Sequence, residues 1–269
     1  MTAPIKKSAP VGAVLVVGGG VGGIQASLDL ANSGFKVYLV ESSPAIGGNM
    51  AMLDKTFPTN DCSLCILSPK LVECGRHLNV TLMTMADVLD LQGETGRFTA
   101  TIRRRARYVD LERCTGCGVC LEKCPRRYVK HYAHPDEEVP KKSLSPFEWQ
   151  LRMKTAIARP YAQALPNAPA IDPVMCLKLT KGTCGLCQKA CQAGAICYDD
   201  KDRIEKIEVG AVILAPGYDQ FQPYPKLEYG YSRFPDVVTS MEFERILCAS
   251  GPFSGHVRCP SDGREPNPT

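Results

Sequence analysis

The stretch "GAVLVVGGGVGGIQASLDLANSGFKVYLVE" constrains the fold more than any other part of the chain. An apolar run leads into Gly18-x-Gly20-x-x-Gly23, and a helical pattern follows with Ile24, Leu28 and Ala31 on one face. Gly34 closes that helix, and "FKVYLV" reads as a second buried strand ending in Glu41. Each glycine has a mechanical role. Gly18 permits a tight turn, Gly20 lets backbone approach a pyrophosphate, and Gly23 lets the helix pack against the strand. Gly22 lies in the same loop, where free N–H groups at a helix start favour phosphates. Glu41, about twenty residues on, is placed to accept a ribose hydroxyl, and an acid there disfavours a 2′-phosphorylated cofactor. The predicted class is therefore α/β, with a Rossmann-like dinucleotide-binding domain.

The second constraint is sulfur. The 269 residues include 14 cysteines, and Cys114, Cys117, Cys120 and Cys124-Pro125 follow C-x2-C-x2-C-x3-C-P. That is the bacterial ferredoxin run, whose fourth thiolate ligates the other cluster of a two-cluster domain. A partner run is present at Cys176, Cys184, Cys187 and Cys191, with a longer first gap and Gln192 in place of proline. Crossed ligation assigns Cys114, Cys117, Cys120 and Cys191 to one [4Fe–4S] cluster and Cys124, Cys176, Cys184 and Cys187 to another. Two structural zincs are the competing reading, but this spacing is not that of a zinc ribbon. Disulfides are disfavoured by the tight spacing and by a reducing compartment.

Composition removes other classes. Net charge is +4, with 44% hydrophobic and 22% charged residues, too mild a balance to argue for nucleic acid or an anionic membrane. There is no apolar run of about 18 residues to span a bilayer, and the N-terminus lacks a signal-peptide pattern. The expected location is cytoplasmic. The basic run Arg103–Arg107 is expected on a strand with a solvated face, a docking patch for an acidic partner being the alternative. No hydrolytic triad or carboxylate pair is visible, so no catalytic side chain is assigned and the chemistry is expected to belong to cofactors.

Between the two cysteine runs lies a proline-punctuated excursion with one expected helix from Pro146 to about Ala158. His131 and His134 within it are given no role. Cys62 and Cys65 form a C-x2-C that reads as a dithiol, as half a metal site or as packing in "LCILSP". Cys74 has no motif support, Cys197 is expected in the core, and Cys248 and Cys259 stay open.

Gly47 and Gly48 in "SSPAIGGNM", and Ala215 and Gly217 closing the strand "IEVGAVILAPGY", give a combination that resembles the FAD domain of glutathione and thioredoxin reductases. That resemblance implies FAD, although Pro216 replaces the commoner threonine. Taken with "FPTNDCSLCILSPKLVECGRH", "CTGCGVCLEKCP", "LTKGTCGLCQKACQAGAI" and "YSRFPDVVTSMEFERIL", the chain resembles the heterodisulfide reductase A-subunit family from about Val11 to Glu265. The resemblance implies an oxidoreductase in which FAD exchanges electrons with [4Fe–4S] clusters, with flavin-based electron bifurcation as one form. It implies the complex's other subunits as partners, and a ferredoxin or a hydrogenase or dehydrogenase electron donor. It also implies that Cys62 and Cys65 help to hold a further [4Fe–4S] cluster.

The expected organisation is an FAD-binding domain in two parts, 1–109 and 202–269, interrupted by a ferredoxin-like insert at 110–201. The end at "GHVRCPSDGREPNPT" is read as a short form, split-gene half or fragment. A noncatalytic iron–sulfur piece that needs a partner chain to hold FAD is therefore the alternative function. A general NADH-dependent flavin reductase would need a nicotinamide site, and no second glycine fingerprint is seen.

Overall fold

The computed structural model describes residues 9–126 and 144–267. His131 and His134 lie outside the described residues. The first unit is a parallel sheet. Strand β1 (Ala13–Val17) runs into helix α1 (Val21–Asn32), and strand β2 (Lys36–Glu41) follows. A short 3-10 turn at Gly48–Met52 and a small hairpin, β3 (Lys55–Thr56) with β4 (Asp61–Cys62), lead to helix α2 (Ser63–Arg76). Strand β5 (Val80–Thr84) then joins the sheet beside β2.

Period-two alternation explains how the sheet fills two cores. Val14, Val16, Val37 and Leu39 face the helices, meeting Ile24, Leu28, Leu67 and Leu71. Ala13, Leu15 and Val40 face the other way, onto a three-stranded meander. That meander comprises β6 (Ala86–Glu94), β7 (Arg97–Arg104) and β10 (Arg203–Val209). Each fully buried aliphatic side chain contributes about 1.5–3 kcal/mol, so the two-sided sheet is the stabilising centre of the molecule.

Residues 105–202 leave and re-enter at the end of one ladder, where β7 and β10 pair antiparallel and Arg104 lies opposite Arg203. Strand β11 (Ala211–Leu214) follows β10 directly and returns to the parallel sheet beside β1, giving the order β11-β1-β2-β5. The sheet that carries the glycine loop is thus completed by chain from beyond the cysteine runs.

Within the excursion, Val109 and Ile196 bridge antiparallel. Helices α3 (Val119–Glu122) and α5 (Leu186–Ala190) lie against one another. Strands β8 (Ile157–Ala158) and β9 (Ala170–Ile171) pair, and α4 (Leu177–Lys181) follows Cys176. Helix α6 (Ser240–Leu247) begins with a reciprocal capping box between Thr239 and Glu242. Among the described residues no helix is long and apolar enough to cross a membrane.

Three expectations are corrected. The helix from Pro146 does not form. Trp149 and Gln150 both take positive φ, and Leu144 bridges to Met153, so the chain reverses there. Burial of Phe147 against Tyr161 (ring centroids 5.1 Å apart) and of Glu148 against Arg245 overrides the local helical preference. Cys197 is exposed, because its neighbour Ile196 takes the core-facing position. The basic run is not uniformly solvated. Arg103 and Arg105 pair with Asp87 and Arg104 with Glu205, whereas Arg107 is buried. Its guanidinium donates to the carbonyls of Ala168, Pro169 and Pro44 and to the Thr84 hydroxyl. Burial lowers its pKa to about 10, which leaves it a cation at neutral pH. Arg107 therefore ties the base of the excursion to the loops of the parallel sheet.

Candidate functional site

The glycine loop is shaped by close backbone approach. Gly18 has φ +106°, and a Cβ there would lie 2.1 Å from the Ala215 carbonyl oxygen. A Cβ at Gly23 would lie 1.8 Å from the Gly18 carbonyl oxygen, so only glycine lets α1 start this close to the end of β1. Gly20 and Gly22 differ, since a Cβ at either meets no protein atom within 4 Å. Gly20 is the N-cap of α1 and faces open space in front of the helix's free N–H groups. This cradle fits a dinucleotide pyrophosphate at the switch point beside β1.

The second glycine pair closes over the first. The Gly47 N–H donates to the Gly19 carbonyl at 2.7 Å, and a Cβ at Gly48 would come within 2.9 Å of the Gly20 Cα. Glu41 has a structural task beyond the one expected. Its Oε2 accepts from the Gly19 N–H at 2.7 Å and its Oε1 from the Ser43 N–H at 2.7 Å, which still leaves acceptor capacity for a hydroxyl. Ala215 is bonded to β1 through its N–H and the Val17 carbonyl at 2.8 Å. Gly217 takes φ +77° just beyond. Asn49 reaches across to the Tyr218 carbonyl at 3.3 Å.

Sequence reasoning missed Tyr161, which comes from the excursion. Its hydroxyl donates to the Ile46 carbonyl and lies against Gly47. Burial, then the charge of Glu41, pushes its pKa up, so the phenol stays protonated. No spacing rule links positions 161 and 47, and the alanine- and proline-rich sequence around Tyr161 gives no signal of the contact.

The thiols of the excursion gather in one small core. Cys120, Cys124, Cys176 and Cys187 are buried, Cys114 and Cys191 are half-buried, and Cys117 and Cys184 are exposed. Cys124, Cys176, Cys184 and Cys187 line a single cavity with Ile157, Ile171 and Tyr198. Around the other set, burial foremost, then neighbouring Cys114, Cys187 and Cys117, pushes the Cys120 thiol up to about 11. Cys187 is raised chiefly by burial, with Cys176 and Cys124 adding to it. Cys117 is lowered by hydrogen bonds from the Val119 N–H and the Thr115 hydroxyl. The Cys191 Sγ accepts from the Ala195 N–H at 3.3 Å.

Cys120 and Cys187, both raised by burial, resist ionising unless a cationic centre compensates. Among the described residues no three His, Cys, Asp or Glu side chains stand as a ready single-ion site. The second set lines one cavity, and an all-thiolate donor set is chemically suited to iron–sulfur ligation.

Cys62 and Cys65 stand side by side at the start of α2, their sulfurs paired with each other and their Cα atoms 5.2 Å apart. The physical reason is local. Cys62 caps α2 and Cys65 lies in its first turn, so a three-residue spacing puts both thiols on one face, within disulfide reach. Cys74, near the other end of α2, is fully buried in the helix-side core.

Residues 13–60 match a family model described as FAD dependent oxidoreductase, and residues 107–127 match one described as 4Fe-4S binding domain. Fold and site together define the class: an FAD-oxidoreductase-type α/β fold that carries an iron–sulfur motif. Relatives that match along nearly the whole chain narrow it. The A-subunit of the H(2):CoB-CoM heterodisulfide,ferredoxin reductase of Methanothermobacter marburgensis is 46% identical over 252 residues, covering 94% of this chain and 35% of that protein. The iron-sulfur A-subunit of the CoB–CoM heterodisulfide reductase of Methanocaldococcus jannaschii is 47% identical over 253 residues, covering 94% and 36%. The second of two such A-subunits in Methanopyrus kandleri is 48% identical over 252 residues, covering 94% and 35%.

The chain is thus a relative of the heterodisulfide reductase A-subunits along nearly all of its own length, and it spans about a third of the length of those proteins. Among solved structures, L-proline dehydrogenase from P. horikoshii aligns with 36% of this chain and 20% of its own at 22% identity and a TM-score of 0.31.

Proposed function

We propose that this chain is an electron-transfer unit of a heterodisulfide reductase-like complex, with FAD held on the glycine cradle and two [4Fe–4S] clusters held by the excursion. Gly20 and Gly22 present backbone to the pyrophosphate, Gly18 and Gly23 let β1 and α1 meet closely enough to form the cradle, and Glu41 fixes the loop and offers its remaining acceptor sites to the ribose. Gly47, Gly48, Ala215 and Gly217 line the approach to the rest of the flavin. Cys114, Cys117, Cys120 and Cys191 bind one cluster, and Cys124, Cys176, Cys184 and Cys187 bind the other. The flavin domain comprises 1–109 and 202–269 and the cluster insert 110–201. The complex's other subunits, and a ferredoxin or a hydrogenase or dehydrogenase donor, are the partners.

When bound, the flavin supplies two-electron chemistry and the clusters one-electron steps. The protein's own contribution is position. Arg107 ties the insert to the loops of the parallel sheet, and the Arg104–Arg203 ladder end joins it to the meander. Division of an electron pair between two routes is the form of the reaction that the resemblance implies.

The observation that carries this reading is the shared cavity of Cys124, Cys176, Cys184 and Cys187. It brings the fourth thiol of the first run to the first three of the second, as crossed ligation requires. Flavin, iron and sulfide measured on one anaerobic preparation test it. About one FAD with roughly eight irons per chain is expected for two four-iron clusters. Iron without flavin favours the noncatalytic alternative, and zinc in place of iron overturns both.

A further inference from the structure

The cavity that gathers the second thiol set is lined also by Arg126, Lys178 and Tyr198, and no cysteine spacing foretells the hydroxyl of the last. The Tyr198 hydroxyl lies 2.9 Å from the Cys187 Sγ, and Tyr198 lines the same cavity as Cys124, Cys176 and Cys184. The contact is held from both sides. The segment leading to Tyr198 is fixed by the Cys197 N–H to the Tyr108 carbonyl at 3.0 Å and the Asp110 N–H to the Ala195 carbonyl at 2.8 Å. The Gln188 side-chain amide, next to Cys187 on α5, donates to the Ile196 carbonyl at 3.3 Å. Separating tyrosine and thiol would therefore strain the contact between α5 and the segment 195–198.

A cysteine bound to iron is a thiolate and can only accept, so the phenol must be the donor in that state. A donor to a cluster sulfur stabilises the more electron-rich, reduced form more than the oxidised one, and hydrogen bonds to the sulfurs are among the determinants of cluster potential. We propose that Tyr198 is a positioning residue whose hydrogen bond to Cys187 raises the reduction potential of the cluster held by Cys124, Cys176, Cys184 and Cys187. This rests on the ligand assignment proposed above. The phenol contacts Cys187, which belongs to this set, so the effect is expected at this cluster.

The test is Tyr198→Phe in the full chain, which removes one oxygen and keeps the ring in its cavity. Iron and sulfide are counted first. Potentials are then read by an EPR-monitored titration in a Cys114→Ser background, where the remaining signal belongs to the Tyr198 set. The expected result is unchanged iron and a reduction equilibrium shifted about tenfold toward the oxidised form, about 59 mV more negative for a one-electron couple.

An unmoved potential with iron intact overturns the role of Tyr198 and leaves the ligand assignment standing. A parent chain that never assembles this cluster is seen in the iron count and overturns both. If the phenylalanine variant loses iron, 3-fluorotyrosine placed at position 198 gives a second reading. Its more acidic phenol donates more strongly and moves the potential upward, and no movement overturns the proposal.

Discussion

The Arg245 guanidinium donates to the Glu148 carboxylate at 2.9 Å, across 97 positions of sequence, with Arg245 only 1% exposed. The same guanidinium donates to the Met52 carbonyl at 3.0 Å and stacks over the Phe147 ring. One side chain from α6 thereby fastens the excursion to the loop that follows the second glycine pair. Removing one partner of a buried pair strands the other, at a cost of about 3–5 kcal/mol. Glu148→Ala is expected to lower the stability measured by chemical unfolding by that order, relative to the parent under the same conditions. A loss under about 1 kcal/mol would mean that water reaches the pair.

The glycine loop separates a folding role from a ligand role. Gly23→Ala forces a Cβ onto the Gly18 carbonyl, so it should destabilise the protein by about 1–3 kcal/mol and abolish flavin binding. Gly20→Ala meets no protein atom within 4 Å. It is expected to change stability by about 1 kcal/mol or less yet weaken FAD at least about tenfold, since the added methyl occupies the pyrophosphate's approach. Fluorescence titration with FAD alongside thermal unfolding separates the two.

Crossed ligation predicts a pattern of non-additivity. Cys124 and Cys176 are distant in sequence but line one cavity, so Cys124→Ser and Cys176→Ser should lose the same cluster. The double variant then retains as much iron as either single one. Cys124→Ser with Cys114→Ser should lose both clusters. Ligation of each run by itself would reverse these outcomes, and metal analysis of the single and double variants decides.

Cys74 is fully buried and its pKa is raised to about 11 by burial first and the charge of Glu73 second. Above its ordinary value of 9.0 the unfolded chain gives up this proton while the folded chain keeps it. The unfolded state then binds fewer protons, so the contribution to stability falls as pH rises from about 9 toward about 11. Unfolding measured across that window should show a shallower decline in Cys74→Ala than in the parent.

The disulfide predicts thiol behaviour directly. In protein handled under air, Cys62 and Cys65 should resist alkylation until reductant is added, although both positions are exposed. Reduction followed by iron and sulfide reconstitution then tests the ligand role that the family resemblance implies. Equal iron in the parent and in Cys62→Ser means that the pair holds no metal, whereas iron lost in the variant restores the ligand role.

The parallel sheet and the glycine cradle were legible because short-range rules dictate them. The spacing of Ile24, Leu28 and Ala31 marks one helix face, and the apolar runs around it are buried on both sides of the sheet. The thiol runs were legible because metal ligation imposes local spacing. What escaped was decided by distant contacts. Phe147 and Glu148 look helical until Tyr161 and Arg245 claim them. Arg107 looks like the last member of a solvated basic run until four oxygen acceptors surround it. Tyr198 carries no motif at all, and only the fold brings it to Cys187.

The ladder end where Arg104 faces Arg203 gives the molecule a modular seam. The host sheet and meander close on either side of that single step, so a tight two-residue turn there would satisfy the same ladder with the thiol-rich block excised. Arg107 and the Arg245–Glu148 clamp are then the added fasteners that convert a dangling graft into a fixed one. Tyr161, reaching from the same block to the Ile46 carbonyl beside Gly47, means that exchanging the block also alters the support of the second glycine pair.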